Sequence, residues 1–153
     1  MVPNAQQDEG SMKQRGGRIM VIDDSFVVRK ILAIGLARAG FEVECYEDGV
    51  EALRSLQDPE RQELPDLVIL DIVLPKMDGY EIAVLLRSRP ELSRIVIVVL
   101  SRRDGILDRL KGRLAGASAY IMKPFRMSEV VQVVSELLQT TGLVSVPNKG
   151  DAL

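Results

Sequence analysis

The chain has 153 residues, of which 46% are hydrophobic and 27% are charged, a composition typical of a single soluble globular domain. With 20 lysine and arginine residues against 22 aspartate and glutamate residues, the net charge of −2 gives no reason to expect nucleic acid or an anionic membrane as a partner. The chain contains no histidine, which excludes histidine-based catalysis, histidine metal ligands and a phosphohistidine carrier. Any chemistry must therefore use carboxylates, hydroxyls, lysine and a hard metal ion.

We expect no signal peptide in this sequence. Its N-terminus lacks the basic and apolar regions of a signal peptide, and the longest apolar run, residues 95–100, is too short to cross a bilayer. The single cysteine, Cys45, cannot form an internal disulfide, and its apolar–polar surroundings favour a buried thiol. We therefore expect a cytoplasmic protein that is not inserted in a membrane.

Apolar runs and capping residues predict a regular alternation of strands and helices between two tails. We expect a flexible N-terminal tail over residues 1–17, one domain over 18–140 and a short C-terminal tail over 141–153. In chain order, the predicted elements are strand 19–22, helix 25–38, strand 41–45, a helix from 48 that stops before 59, strand 66–70, helix 78–88, strand 95–100, helix 104–114, strand 117–122 and helix 128–140. Four of the helices begin at residues that commonly act as N-caps, namely Ser25, Asp48, Asp78 and Ser128.

Five strands alternating with five helices predict an α/β fold, a doubly wound parallel sheet with helices on both faces. Right-handed crossovers leave few topologies, and we expect the flavodoxin-like strand order 2-1-3-4-5. Ligands bind such sheets at the carboxyl ends of the strands, at the switch point between strands 1 and 3.

Side chains that can carry chemistry follow four of the predicted strands. Asp23 and Asp24 follow strand 1, Asp71 follows strand 3, Ser101 follows strand 4 and Lys123 follows strand 5. Because the carboxyl ends of parallel strands share one edge, three carboxylates should crowd into one cleft and face a hydroxyl and a lysine. Crowded carboxylates must take up protons or hold a cation, and ligands that are all oxygen favour Mg²⁺ or Mn²⁺ over zinc.

The same cleft has the groups that a phosphoryl transfer requires. Lysine and a hydroxyl suit phosphoryl oxygens, and a carboxylate can accept a phosphoryl group to form an acyl phosphate. Asp71 is the predicted nucleophile, because Asp23 and Asp24 are paired on another strand as metal ligands. A carboxylate at the end of the buried run L-V-I-L-D is explained if that edge of the sheet is the reaction site.

Four stretches of this sequence resemble the receiver domains of response regulators. They are I-M-V-I-D-D-S, L-V-I-L-D-I-V-L-P-K-M-D-G-Y-E, V-V-L-S and G-A-S-A-Y-I-M-K-P-F, in the family's order and spacing. The resemblance covers about residues 18–140. It implies that Asp71 accepts a phosphoryl group from the phosphohistidine of a histidine kinase or phosphotransfer protein.

The resemblance also implies the roles of the other site residues. Asp24 and Asp71 would coordinate Mg²⁺ directly, Val73 would do so through its backbone carbonyl, and Asp23 would assist through water.

Three residues would respond to the phosphoryl group. Lys123 would pair with it, Ser101 would hydrogen-bond to it, and Tyr120 would be the aromatic switch that turns inward when Ser101 moves. The resemblance also implies a cis peptide bond between Lys123 and Pro124.

The phosphoryl group carries roughly −1.5 to −2 of charge, which favours one of two pre-existing states. The output surface is expected on the face formed by the fourth predicted helix, the fifth strand and the fifth predicted helix. This face would bind a separate protein target, and both a monomer and a phosphorylation-linked dimer remain open.

The sequence departs from the usual family pattern next to the predicted site. Arg102 stands where the family usually has a small residue, and it could narrow the pocket or shield the acyl phosphate. Val73 and Arg103 occupy positions at which the family tunes its dephosphorylation rate. A branched apolar side chain at position 73 favours a longer-lived phosphoryl group.

Two further segments have both structural and functional interpretations. Residues 102–113 carry five basic side chains, which fit either a solvated helix face or a docking surface for an acidic partner. Their pattern D-G-x-x-D-x-x-K-G-R is similar to that of stand-alone receivers in type IV pilus twitching systems, which implies a role in motility. The last predicted helix has a broad apolar face, which fits core packing or contact with a partner or a second copy.

Two other classes of function remain as alternatives. A Mg²⁺-dependent phosphatase of the haloacid-dehalogenase type would need a second acid two residues after the nucleophile, and Val73 occupies that position. A receiver-like module that only binds would need an impaired site, and only Arg102 leaves that interpretation open.

Overall fold

The computed structural model describes residues 16–102, 111, 113 and 115–141. Within these residues, five strands and four helices follow one another along the chain. In chain order they are β1 (Arg18–Ile22), α1 (Phe26–Arg38), β2 (Glu42–Tyr46), α2 (Gly49–Leu56), β3 (Leu67–Asp71), α3 (Gly79–Ser88), β4 (Val96–Ser101), β5 (Ala119–Met122) and α4 (Met127–Thr140).

Several predictions fall largely outside the described residues. Of the predicted helix 104–114, only Lys111 and Arg113 are described, and both are helical. Both are exposed, as is Arg102, whereas Arg103 and Arg109 lie outside the described residues. The two interpretations of the basic segment therefore both remain. The predicted tails are described only at 16–17 and 141, so the domain boundaries remain predictions.

The sheet has the predicted topology. Its five strands are all parallel and lie in the order β2-β1-β3-β4-β5. β3 and β4 are buried along their whole length, which explains why their sequences are nearly continuous apolar runs. The switch point between β1 and β3 therefore opens at the carboxyl edge of the sheet, where Asp23 and Asp24 follow β1 and Asp71 ends β3.

Side-chain alternation along the strands divides the core into two layers. Leu70 and Val99 pack with α2 and α3 on one face of the sheet, which we call the α2/α3 layer. Ile69 and Val98, the residues preceding them, pack with α1 and α4 on the other face, which we call the α1/α4 layer. The six apolar positions of the last helix all contact this second layer; they are Val130, Val131, Val133, Val134, Leu137 and Leu138. Core packing therefore accounts for the breadth of that apolar face.

Three of the four predicted N-caps are confirmed. The side chains of Ser25, Asp48 and Asp78 each accept a hydrogen bond from the backbone N–H three residues later.

The prediction that Ser128 caps the last helix is wrong. α4 begins at Met127, and its N-cap is Arg126, whose extended backbone (φ −103°, ψ 138°) is not accompanied by a side-chain capping bond. The Arg126 carbonyl already accepts from the N–H of Val130 at 3.1 Å, and Met127 packs against the α1/α4 layer. Tertiary packing thus starts the helix earlier than the capping preference of serine predicts.

Arg87 links three parts of the fold on the α2/α3 side. Its guanidinium donates hydrogen bonds to the carbonyls of Ser93 (2.8 Å), Ile95 (2.7 Å) and Gly116 (2.8 Å). It therefore fastens the end of α3 to the entry of β4 and to the turn before β5.

Two other sequence predictions bear on the surface of the fold. Cys45 is half-buried rather than enclosed, and burial raises the pKa of its thiol. Among the described segments, no helix combines the length and the apolar composition that a bilayer crossing needs.

Candidate functional site

The alternation of the strands decides which strand-end side chains meet. Asp23, Asp71 and Lys123 each lie two residues after a strand residue that packs in the α1/α4 layer. Because side chains two apart on a strand point to the same face, all three project from the same side of the carboxyl edge. The sequence predicted the shared edge, and the structure adds the shared face.

Lys123 bridges the two buried carboxylates. Its ammonium nitrogen lies 2.8 Å from Asp23 Oδ2 and 3.0 Å from Asp71 Oδ2, and all three side chains are at most 9% exposed. The other oxygens are held by backbone donors: the N–H of Ser25 reaches Asp23 Oδ1 at 2.9 Å, and the N–H of Val73 reaches Asp71 Oδ1 at 3.1 Å. Both carboxylates are therefore fixed in position by two donors each.

Burial and the neighbouring charges both shift the pKa values of Asp71 and Lys123. Burial raises the pKa of Asp71, with a further rise from the Asp23 charge, and Lys123 only partly offsets it. Burial alone would lower the pKa of Lys123, but its bonds with Asp23 and Asp71 outweigh that effect and raise the pKa. The lysine is therefore charged at neutral pH, and one ammonium is shared by two carboxylates.

Asp24 completes a cluster of three acids. Asp23, Asp24 and Asp71 can each present a carboxylate oxygen such that the three oxygens lie within 4.8 Å of one another. Asp24 is exposed, and none of the described residues hydrogen-bonds to its carboxylate. The donor set is entirely hard oxygen and carries excess negative charge, so it fits a hard divalent cation such as Mg²⁺.

A cavity of about 290 Å³ opens over this cluster. It is lined by Asp24, Ser25, Asp71, Val73, Arg102 and Lys123. Val73 is 58% exposed at its mouth, and Arg102 borders the cavity, as its position after β4 predicted. Asp71 thus lines an open cavity although the residue itself is buried.

Ser101 and Tyr120 lie beside the cluster rather than in it. Ser101 is fully buried at the end of β4, and its carbonyl accepts from the N–H of Lys123 at 2.7 Å. Tyr120 pairs in register with Val99 and is half-buried against the α2/α3 layer. By strand alternation Ser101 and Tyr120 point to the same face of the sheet, opposite to Asp71. The Lys123–Pro124 peptide bond is cis, as predicted.

Several supporting residues had no clear sequence signal. Arg29, one helical turn after Ser25, donates to the backbone carbonyl of Asp23 at 2.8 Å. Lys76, which adopts a left-handed backbone (φ 68°), reaches Asp48 Oδ2 at 3.2 Å. Backbone hydrogen bonding from Glu51, followed by the Lys76 interaction, holds the pKa of Asp48 below its usual range although burial opposes this. Only the turn sequence P-K-M-D-G indicated that Lys76 could adopt a left-handed backbone.

Gly79 allows the start of α3 to approach the carboxyl end of β3. Its N–H donates to the carbonyl of Ile72 at 2.9 Å. A Cβ atom at this position would overlap the carbonyl oxygen of Asp71 and lie 2.9 Å from the Cα of Ile72. Glycine is therefore the residue that fits here.

Comparison with known proteins identifies the family. The protein-family model of the response regulator receiver domain matches residues 19–135, which include every predicted site residue. This chain belongs to the response regulator receiver family. It is thus a signalling domain, not a haloacid-dehalogenase-type phosphatase.

Relatives of this receiver domain differ in length. Protein PilG of Pseudomonas aeruginosa is 32% identical over 119 residues, which cover 78% of this chain and 85% of PilG. The response regulator MprA of Mycobacterium sp. (strain KMS) is 40% identical over 124 residues, or 81% of this chain and 51% of MprA. The chain therefore spans most of PilG but about half the length of MprA.

Solved structures show the same fold. The chemotaxis protein CheY4 of Vibrio cholerae superposes with a TM-score of 0.73 at 27% identity, covering 80% of this chain and 98% of CheY4. The phosphorylated cyanobacterial phytochrome response regulator RcpA superposes with a TM-score of 0.69 at 29% identity, covering 86% of this chain and 99% of RcpA. The receiver fold of this chain is therefore of the chemotaxis-receiver type.

Proposed function

We propose that this receiver domain accepts a phosphoryl group on Asp71 from a histidine kinase or phosphotransfer protein, with Mg²⁺ bound beside it. The observation that carries the proposal is the environment of the Asp71 carboxylate. It is buried at the end of β3, held by Lys123 and the Val73 N–H, and open to a cavity of about 290 Å³. Structural similarity to RcpA, whose solved structure is phosphorylated, supports the same assignment.

The residues around Asp71 have distinct roles in the transfer. An Asp71 oxygen forms a bond to phosphorus while the nitrogen–phosphorus bond of the phosphohistidine breaks, and its electron pair remains on the imidazole ring, which takes up a proton. Lys123 and the Val73 N–H fix the direction of the attacking carboxylate, so little reorganisation is needed. Lys123 also lies where its ammonium can pair with the incoming phosphoryl oxygens.

The three carboxylates would hold Mg²⁺, and Mn²⁺ also suits such a donor set. Asp24 and Asp71 are the direct ligands in this proposal, together with the Val73 carbonyl. Asp24 and Asp71 line the cavity and Asp23 does not, which supports an indirect role for Asp23 through water. A bound divalent ion would offset the negative charge that the carboxylates and the phosphoryl group bring together.

Ser101 and Tyr120 would convert phosphorylation into a change of surface. Ser101 points away from Asp71 in this structure, so it would hydrogen-bond to the phosphoryl group only after the segment that follows β4 moves. Tyr120 would then turn inward toward the space that Ser101 leaves. Their location on one face of the sheet and on neighbouring strands supports this coupling. Phosphorylation would then favour one of two states of the output face, which is expected to comprise the predicted helix 104–114, β5 and α4 and to bind a downstream protein.

Similarity to PilG and to the chemotaxis protein CheY4, with the pilus-type pattern in residues 104–113, supports a role in motility or pilus control. The kinase and the target partner are both proteins in this proposal, and phosphorylation can act on a monomer or through a dimer.

Intact-mass spectrometry after incubation with a small phosphodonor and Mg²⁺ tests the proposal. We expect one phosphoryl adduct on the wild type, and none on Asp71→Asn or in the presence of a chelator. Asp58→Asn is the matched control, because Asp58 is exposed and follows α2 at the opposite edge of the sheet. A wild type that stays unlabelled while another receiver labels would favour a phosphorylation-independent binding module.

A further inference from the structure

Arg102 stands between two cavities that meet at the reaction site. It lines the acidic cavity with Asp71, and it also lines a second cavity of about 460 Å³. The second cavity is mainly apolar and is lined by Val28, Ile31, Arg102, Lys123, Pro124, Phe125 and Met127. Arg102 and Lys123 therefore form the wall that the two cavities share.

The chemistry of an arginine side chain favours one placement on such a wall. Its methylene stem is apolar and its guanidinium is charged, so the stem suits the apolar cavity and the guanidinium suits the acidic one. None of the described carboxylates forms an ion pair with the exposed Arg102. Its charge is therefore not already neutralised by the acids that the structure describes.

A count of charges indicates what phosphorylation requires at this site. Three carboxylates face one ammonium, that of Lys123, and a divalent cation would balance the remainder. Converting the Asp71 carboxylate into an acyl phosphate replaces one negative charge by roughly −1.5 to −2. The phosphorylated site then carries excess negative charge, and Lys123 is already shared with Asp23. Arg102 is the other cation on the described wall of this cavity.

We propose that the Arg102 guanidinium pairs with the phosphoryl oxygens on Asp71 and shields the acyl phosphate from water. This inference rests on the proposed function. The planar guanidinium presents a fork of N–H donors that matches two phosphoryl oxygens, whereas a lysine provides only a point charge. Arg102 is thus a second phosphoryl-binding residue that stabilises the phosphorylated state of this receiver.

Beryllofluoride, an anion that mimics a phosphoryl group on aspartate, is the probe for this role. Its dissociation constant is measured in saturating Mg²⁺ for the wild type, Arg102→Gln and Arg102→Lys. We expect Arg102→Gln to weaken binding about tenfold, the scale of one charge-assisted hydrogen bond, and Arg102→Lys to retain part of the affinity. Arg54→Gln, which changes a 73% exposed arginine on α2, is the control and should leave binding unchanged.

A second measurement separates a charge effect from a structural one. Removing a cation beside three carboxylates should strengthen Mg²⁺ binding in the absence of beryllofluoride, while anion binding weakens. A variant that is only misfolded would weaken both. The acyl phosphate of Arg102→Gln should also hydrolyse several-fold faster than that of the wild type.

If the Arg102→Gln variant binds beryllofluoride as tightly as the wild type, or more tightly, the inference is overturned. The proposal that Asp71 is phosphorylated would not be affected by that result. Weakened binding of both Mg²⁺ and beryllofluoride would also overturn it. A wild type that neither binds beryllofluoride nor takes up a phosphoryl group would instead overturn the proposed function, and this inference with it.

Discussion

Asp71 combines a charge with burial, and its neighbours only partly compensate. One oxygen bonds to Lys123 and the other to the Val73 N–H, yet burial and the Asp23 charge still raise the pKa of this carboxyl. Ionisation of Asp71 therefore carries an energetic cost in the metal-free protein. This cost is what a metal ion or a protonated state would relieve.

Replacing Asp71 by asparagine should stabilise the apoprotein at neutral pH. The folded protein binds this proton more tightly than the unfolded chain, so the free energy of unfolding falls as the pH rises from about 4 through the raised pKa. In chelator at pH 7 we expect Asp71→Asn to be more stable by on the order of 1 kcal/mol, a difference that shrinks below pH of about 4. Urea unfolding across this pH range measures it, and a variant less stable at pH 7 would contradict the account.

Replacing Lys123 should have the opposite effect. Lys123→Met leaves the buried carboxylates of Asp23 and Asp71 without their cation, and we expect a loss of about 2 kcal/mol in the free energy of unfolding at pH 7. Adding Asp71→Asn to this variant should recover part of the loss, because one of the two unpaired charges is removed. Strictly additive effects in a double-mutant cycle would show that the two residues do not interact.

Some of the site could be predicted from single residues and some could not. Asp23 and Lys123 follow β1 and β5, and Asp71 ends β3, so topology alone brings them to one edge. The reach of long side chains is not encoded in such patterns, which is why Arg29 at the Asp23 carbonyl was not predicted. Ser128 failed as a cap because core packing, a tertiary effect, starts the helix earlier.

At the scale of elements, Gly79 shows how closely the start of α3 packs against the carboxyl end of β3. The start of α3 lies so close to β3 that a side chain at position 79 would meet backbone atoms, which cannot move aside as a flexible side chain can. We expect Gly79→Ala to lower the free energy of unfolding by about 2 kcal/mol and to reduce phosphoryl uptake at Asp71. Thermal unfolding and adduct formation are the measurements, and a variant unchanged in both would contradict the close approach.

Arg87 provides a comparable test at the opposite edge of the sheet, where β4 begins. Arg87→Met keeps the apolar stem but removes three hydrogen bonds to backbone carbonyls that hold α3, β4 and the turn at Gly116 together. We expect a loss of about 2–3 kcal/mol in the free energy of unfolding. The exposed Arg94, changed in the same way, is the control and should cost little. Equal effects of the two substitutions would contradict a linking role for Arg87.

At the scale of the whole molecule, the order of strands and helices was predictable because strong local patterns agree with one topology. Buried runs such as that of β3 read as parallel strands, and right-handed crossovers restrict how they connect. Helices on both faces of the sheet were predicted, but the assignment of residues to the two layers was not, since a run apolar at every position does not reveal which residue faces which layer. That division determines that Asp71 and Ser101 point to opposite faces.

Metal binding should stabilise the whole fold through the acidic cluster. A ligand that binds only the folded state raises the free energy of unfolding by about 2.7 kcal/mol at roughly 100 times its dissociation constant. We expect Mg²⁺ to raise the melting temperature of the wild type, and this increase to be largely lost in Asp24→Asn. Asp58→Asn should keep the full increase, and an equal response of Asp24→Asn would contradict a direct role for Asp24.

The most direct test of the central claim is the position of the phosphoryl group in the chain. The phosphorylated protein is reduced with borohydride, which converts an aspartyl phosphate into homoserine, and its peptides are sequenced by mass spectrometry. We predict homoserine at position 71 and at no other aspartate. Homoserine at position 23 or 24, with Asp71 intact, would contradict the assignment of Asp71 as the phosphoryl acceptor.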